Sequence, residues 1–203
     1  MHGSAIVDSN MYSFGGCYSE NGQTKHRYDS IYRIELPAGK WTECDARLPS
    51  AVSSPGITTV EDDIVIVGGM TDSGRTAQTS RFNTKNNKLT LCQPMPKPDF
   101  VYRSTVSIAH HIYVLSDEQF LCFDLPNNSW SSLAMPMKPS YFPAMVLKQH
   151  RLIAMGGYDV AGDWENPNDR VQVYDLKTKK WEAQKNMPLK LTYHWAFVMK
   201  VSS

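Results

Sequence analysis

The chain has little that would draw it to a charged partner or a membrane. Its 203 residues carry 21 Lys and Arg against 20 Asp and Glu, a formal net charge of +1. No whole-protein field therefore favours nucleic acid or an anionic membrane surface. No apolar run reaches the roughly 18 residues that a membrane helix needs. The N-terminal MHGSAIVDSNMYSFGG lacks the basic head and apolar core of a secretory signal, so the expected compartment is the cytoplasm. Cysteine is sparse: the four residues Cys17, Cys44, Cys92 and Cys122 form no CxxC pair. That spacing excludes a zinc ribbon or a redox dithiol. Nucleotide fingerprints are missing as well. GxGxxG must open a helix and GxxxxGK(S/T) must precede one; neither motif occurs, and apolar residues show almost no helical period.

What the chain does have is repetition. A glycine pair follows a short apolar run three times: Gly15-Gly16 after NMYSF, Gly68-Gly69 after DIVIV, and Gly156-Gly157 after RLIAM. A fourth run, HIYVL, meets Ser116-Asp117 instead. Such five-residue runs read as short buried strands. Downstream of each lies a second signature, IELPAGKW, FNTKNNKL, FDLPNNSW or YDLKTKKW. In each, a large apolar residue (Ile34, Phe82, Phe123, Tyr174) stands seven before Trp41, Leu89, Trp130 or Trp181, across a turn-forming tetrad. This is a hairpin with an apolar residue on each arm. Leu48-Pro49, Met95-Pro96, Met135-Pro136 and Met187-Pro188 close the units. The closing Trp or Leu positions recur at 41 to 51 residues, and each unit holds four short strands, the pattern of one propeller blade.

The glycine pair, the aromatic-Asp pair and the Trp seven residues on resemble the kelch repeat, over nearly the whole chain. The resemblance implies an all-β kelch-type β-propeller of four four-stranded blades, spanning approximately residues 2–48, 49–95, 96–135 and 136–187. An extra strand at 190–201 follows. Since kelch domains of cytosolic adaptors usually close with six blades, this implies an incomplete portion of a six-bladed propeller. A closed four-bladed ring is the alternative, with the last strand completing the first blade. An open blade stack exposes apolar ends, so self-association through them is expected unless further blades or a partner cover them.

One sheet cannot bury both of its faces, so neighbouring blades must supply the core. The expected interior is Tyr12, Phe14, Ile64, Ile66, Tyr113, Leu115, Ile153, Met155, Phe82, Phe123, Tyr174, Trp41, Trp130 and Trp181. Cys44 and Cys92 each stand three residues after the closing position of their unit, which fits structural filling and not a metal pair. His110, His111 and His150 fall at the turn between the first two strands, away from the expected binding face.

Loops on a rigid scaffold carry function. The loop after each glycine pair varies most, from SDEQF to CYSENGQTKHRYDS. In the kelch family this loop and the one joining successive blades form the rim that binds partners. The resemblance therefore implies a non-catalytic protein–protein interaction module. Its contact residues are expected among Tyr18, Arg27, Arg75 and Trp164 in the long loops and Phe100, Tyr102, Tyr141 and Tyr193 between blades, because Tyr, Trp and Arg dominate interface hot spots. Several kelch adaptors place an Arg a few residues after Met-Pro to hold acidic peptides. The corresponding slots here, near Val52, Phe100 and Ser140, are not basic, which favours a more aromatic, neutral ligand. By resemblance to BTB–kelch proteins the role is substrate recognition for a cullin-type ubiquitin ligase. The alternatives are an enzyme on the same scaffold, of the copper oxidase or sugar epimerase type, or a truncated product without an independent partner. No catalytic residues, metal site or cofactor are expected: Asp163, Glu165 and Asp169 are solvated loop carboxylates without a convergent His or Cys.

Overall fold

The computed structural model describes residues 2–99, 101, 104–159, 165–194 and 196. In chain order the strands are β1 (Gly3–Val7), β2 (Asn10–Phe14), β3 (Cys17–Glu20), β4 (Gln23–Arg27), β5 (Ser30–Glu35), β6 (Thr42–Arg47), β7 (Gly56–Val60), β8 (Asp63–Val67), β9 (Met70–Thr71), β10 (Gly74–Arg75), β11 (Thr79–Asn83) and β12 (Lys88–Leu91). They continue with β13 (Thr105–Ile108), β14 (His111–Leu115), β15 (Phe120–Asp124), β16 (Ser129–Ser132), β17 (Ala144–Lys148), β18 (Arg151–Met155), β19 (Val171–Asp175) and β20 (Lys180–Ala183). Among the described residues there is no helix.

Four antiparallel sheets form, ordered β1-β2-β5-β6, β7-β8-β11-β12, β13-β14-β15-β16 and β17-β18-β19-β20. Each repeat of the sequence is one four-stranded blade. Of the predicted terminal strand, residues 190–194 and 196 are in turn and loop, and the remainder lies outside the described residues. Two small ribbons, β3-β4 and β9-β10, stand in the loops after the first two glycine pairs. The first turns at Asn21-Gly22, both at positive φ (50° and 75°). Asn-Gly between strands is a strong two-residue hairpin signal.

The chain divides into two compact units, residues 1–102 with 125–130, and 103–124 with 131–203. In the first, blade one meets blade two through Tyr12 and Phe14. Their rings lie 5.6 and 5.7 Å from that of Phe82, which is edge-on to both. Ile31, Leu48, Val52, Ile64 and Ile66 complete this cluster. In the second, Phe120 of the third blade meets Tyr174 at 4.9 Å and Trp181 at 5.2 Å, among Leu115, Met145, Leu152 and Ala154. The wedge between blades is therefore aromatic, as the repeat requires.

Trp41 departs from the predicted interior and is 51% exposed. The two corresponding tryptophans show why. Trp130 Nε1 donates to Gln93 O (2.8 Å) and Trp181 Nε1 to Ala134 O (2.7 Å), in each case a carbonyl of the preceding repeat. Trp41 belongs to the first blade and meets no earlier blade among the described residues. Trp130, Trp181, Tyr113, Ile153 and Met155, also expected in the interior, are half-buried.

The degenerate third repeat also has a local explanation. Its loop is so short that Ser116 closes it alone. Ser116 N–H donates to Gln119 O, and its hydroxyl oxygen accepts from the N–H groups of Glu118 and Gln119. A side-chain hydroxyl used in this way replaces the turn that glycines make elsewhere.

Candidate partner-binding face

The second glycine of each pair knits the two loop sets together. Gly16 N–H donates to Val52 O (2.8 Å), Gly69 N–H to Asp99 O (3.1 Å), and Gly157 N–H to Leu191 O (2.9 Å). Each acceptor lies in the segment after Leu-Pro or Met-Pro. The glycine is required there: at Gly157, φ is +90° and an added Cβ would stand 2.3 Å from Tyr141 O. Loops that were separate in sequence are thus fixed to one rim within each unit.

In the first unit, the predicted contact residue Tyr18 stands exposed on β3. The rings of His26 and Tyr28 meet edge-on at 4.6 Å. The two predicted arginines are engaged internally. Arg27 donates from Nε to Ser53 Oγ (3.2 Å) and pairs with Asp72. Arg75 pairs with the buried Asp99 at 3.3 Å.

In the second unit, Tyr141 and Tyr158 exchange both backbone hydrogen bonds at 2.9 Å. Tyr158 is buried, and its ring lies 6.0 Å from Tyr193; Phe142 stacks on Tyr193 at 5.9 Å. Predicted residue Tyr193, 46% exposed, thus sits in an aromatic cluster with Phe142 and Tyr158, to which predicted residue Tyr141 is tied through its backbone. Phe142 and Tyr193 both occupy left-handed backbone, φ 52° and 51°. Ser54, in the corresponding place between blades one and two, has φ 53°. The fold imposes this conformation, and here it is met by large aromatics, which tolerate it poorly.

Arg170 takes the position that Gln78 and Gln119 hold in earlier blades, each accepting from the N–H at the glycine position, so no repeated residue type marks it in the sequence. It pairs with Asp159 and donates from Nη2 to Ser140 Oγ (2.9 Å) and Pro139 O (3.3 Å). Gln172 holds the same linker, its Nε2 donating to Lys138 O at 2.7 Å. Beside them opens a groove of about 340 Å³ bounded by Met137, Lys138, Ala183 and Asn186. Phe100, Tyr102 and Trp164 lie outside the described residues.

The Kelch motif model matches residues 139–188. Human Kelch-like protein 38 is 29% identical over 157 residues, 70% of this chain and 26% of that protein. Its rat counterpart is 27% identical over 190 residues, 86% of this chain and 31% of that protein. Kelch repeat and BTB domain-containing protein 2 of Pongo abelii is 23% identical over 149 residues, 67% of this chain and 23% of that protein. Residues 139–188 carry a kelch motif, and the chain resembles the kelch repeats of these proteins. The chain spans under a third of the length of these relatives. The solved structure of YjhT superposes with a TM-score of 0.79 at 13% identity, covering 96% of this chain and 72% of that one; this shared architecture is the kelch propeller fold.

The chemistry available on the rim of this kelch domain is aromatic and hydrogen-bonding. Arg27, Arg75 and Arg170 are each held by a carboxylate, which removes three cations from ready use by an acidic ligand. Among the described residues no three His, Cys, Asp or Glu side chains are grouped to hold a metal ion. Burial pushes the thiols of Cys44, Cys92 and Cys122 up, towards the neutral form. Burial, with Cys122 alongside, pushes the Tyr113 phenol up to about 12. Such groups fill space and are poor nucleophiles.

Proposed function

We propose that this kelch domain is a non-catalytic protein-interaction module that reads a protein or peptide through its loop rim. Its main contact is the aromatic surface of Phe142 and Tyr193, backed by the buried Tyr158, with Tyr141 beside it on the same linker. The observation that carries this reading is the pair Phe142 and Tyr193. A left-handed slot that Ser54 fills between the first two blades is filled here by two stacked aromatics, and one of them is exposed. Backbone strain of this kind gathers at functional sites, and exposed aromatics are the usual anchors of interfaces. Pairing of the rim arginines supports a neutral, aromatic or apolar ligand over an acidic one. Tyr18, exposed on β3 of the first unit, is proposed as a contact there; Phe100, Tyr102 and Trp164 are proposed from the sequence alone.

Likeness to the BTB–kelch relatives supports a finer reading, substrate recognition for a cullin-type ubiquitin ligase in the cytoplasm. In that setting other domains would contact the cullin and this one would hold the substrate. The test is affinity capture from cell extract with wild-type protein against the double variant Tyr141→Ala/Tyr193→Ala. Specific partners should be depleted with the variant while its thermal unfolding stays cooperative. Equal recovery of every partner would remove the aromatic cluster as the contact surface.

A further inference from the structure

Asn21 and Gly22 form the tip of the β3-β4 ribbon. Register pairs Ser19 with Thr24 and Glu20 with Gln23, which leaves two residues to make the turn. Residues 18–26, the whole ribbon apart from its end residues Cys17 and Arg27, are exposed. A lone two-stranded hairpin is marginally stable in water, and here the pairing is further broken by a register shift between Tyr18 and Ser19. The ribbon therefore belongs to the low-stability end of the molecule, where segments open without global unfolding.

The pair at its tip is also reactive. The main-chain nitrogen after an asparagine can attack the side-chain amide carbon and close a five-membered imide. A Cβ on the following residue crowds that approach, and glycine has none. Asn21-Gly22 is the only Asn-Gly in the sequence. An added Cβ at Gly22 would meet no atom within 4 Å, so nothing packed around the turn hinders its rearrangement. Left-handed backbone alone does not single the site out. Asn87 and Asn128 have φ of 54° and 49° and are exposed as well. They are followed by Lys88 and Ser129 and close hairpins inside four-stranded blades. The side-chain oxygen of Asn128 is also engaged, accepting from Gln93 N–H at 2.8 Å. Asn21 alone combines a following glycine with a peripheral ribbon.

We propose that Asn21 is a site of spontaneous deamidation, a modification that the folded chain undergoes with water as its only co-reactant. The imide ring does not fit the closed hairpin turn, so the ribbon opens first. Gly22 N then bonds to Asn21 Cγ, the bond from Cγ to Nδ2 breaks, and ammonia leaves with the proton of the Gly22 N–H. Water opens the imide at one of its two carbonyls, which leaves aspartate or isoaspartate at residue 21. No electrons are gained or lost. In isoaspartate the main chain runs through Cβ and is one atom longer. That connection no longer matches the two-residue turn that the paired strands require, and a new carboxylate stands beside Glu20. The chemistry does not depend on the rim holding a partner.

The wild-type chain is incubated at mildly alkaline pH, folded and, in parallel, unfolded in urea. Isoaspartate is labelled with an isoaspartate-specific carboxyl methyltransferase and placed by peptide mass spectrometry. The folded chain should accumulate it at residue 21 at a rate within about tenfold of the unfolded chain, and at least about tenfold faster than at Asn87 or Asn128. Asn21→Gln should remove the signal. Gly22→Ala should slow it by roughly tenfold or more, folded and in urea alike, which separates crowding by the Cβ from any change in the ribbon. An intact Asn21 in the folded chain under conditions that convert it in urea would overturn the proposal. So would an unchanged rate in Gly22→Ala, or equal conversion at Asn87 or Asn128.

Discussion

Trp181 and Ala134, 47 residues apart, are joined by a hydrogen bond of 2.7 Å from the indole N–H to the main-chain oxygen. The same indole packs on Phe120 and Tyr174. Replacing Trp181 by Phe keeps most of the packing and removes one hydrogen bond, so a loss of about 1 kcal/mol is expected. Replacing it by Ala empties the wedge and should cost roughly 3–5 kcal/mol. Urea unfolding separates the two. Trp41→Ala should cost far less, because the side chain is half exposed. Equal losses at both tryptophans would contradict the blade-wedge account.

Gly157 holds the linker carbonyls at a distance no side chain permits. Ala there meets left-handed backbone strain of about 1–3 kcal/mol and a backbone oxygen 2.3 Å from its Cβ. Gly22 has φ +75° but no atom within 4 Å of an added Cβ. Melting temperatures should therefore fall further for Gly157→Ala than for Gly22→Ala. The reverse order would show that conformation, not close approach, decides these sites.

Asp175 caps the last hairpin, its Oδ1 accepting from the N–H groups of Lys177 and Thr178 at 2.9 Å. The hydrogen bond from Thr178 does most to hold its carboxyl below the ordinary 3.8, with smaller help from Lys177, His150 and Arg151. A depressed folded value means the stabilisation is complete above 3.8 and disappears as pH falls through that lower value. Asp175→Asn keeps an acceptor but not the charge. The stability gap between wild type and this variant, read by urea unfolding, should be widest near neutrality and shrink below pH 3.8. A gap that grows on acidification would rule this out.

The four blades could be read from Gly-Gly, the hairpin and the closing Trp because each feature is local and recurs. The ribbon at Asn21-Gly22 was equally readable, since that dipeptide suffices for a two-residue turn. What could not be read were pairings between loops. Arg27 finds Asp72 over 45 residues and Arg75 finds Asp99 over 24. Nothing in either arginine's neighbourhood in sequence distinguishes an internal strut from a free contact. Trp41 shows the other limit: its motif has the same spacing as those of Trp130 and Trp181, but burial depends on a neighbour that the motif does not encode. Tyr141 and Tyr193 stand out in the sequence as aromatics in the segments after Met-Pro, whereas Arg170 carries no such mark.

The left-handed positions at Ser54, Phe142 and Tyr193 set stability against recognition. Since the backbone conformation is fixed by the fold, the side chain there can change without altering the path of the linker. Asn and Gly accept that conformation readily, so Tyr193→Gly should relieve about 1–2 kcal/mol of backbone strain, set against the ring contacts it loses with Phe142 and Tyr158, while weakening partner capture. A variant both more stable and equally competent would show that the aromatic serves neither purpose. The expected outcome instead makes this linker a place where the domain has exchanged robustness for selectivity.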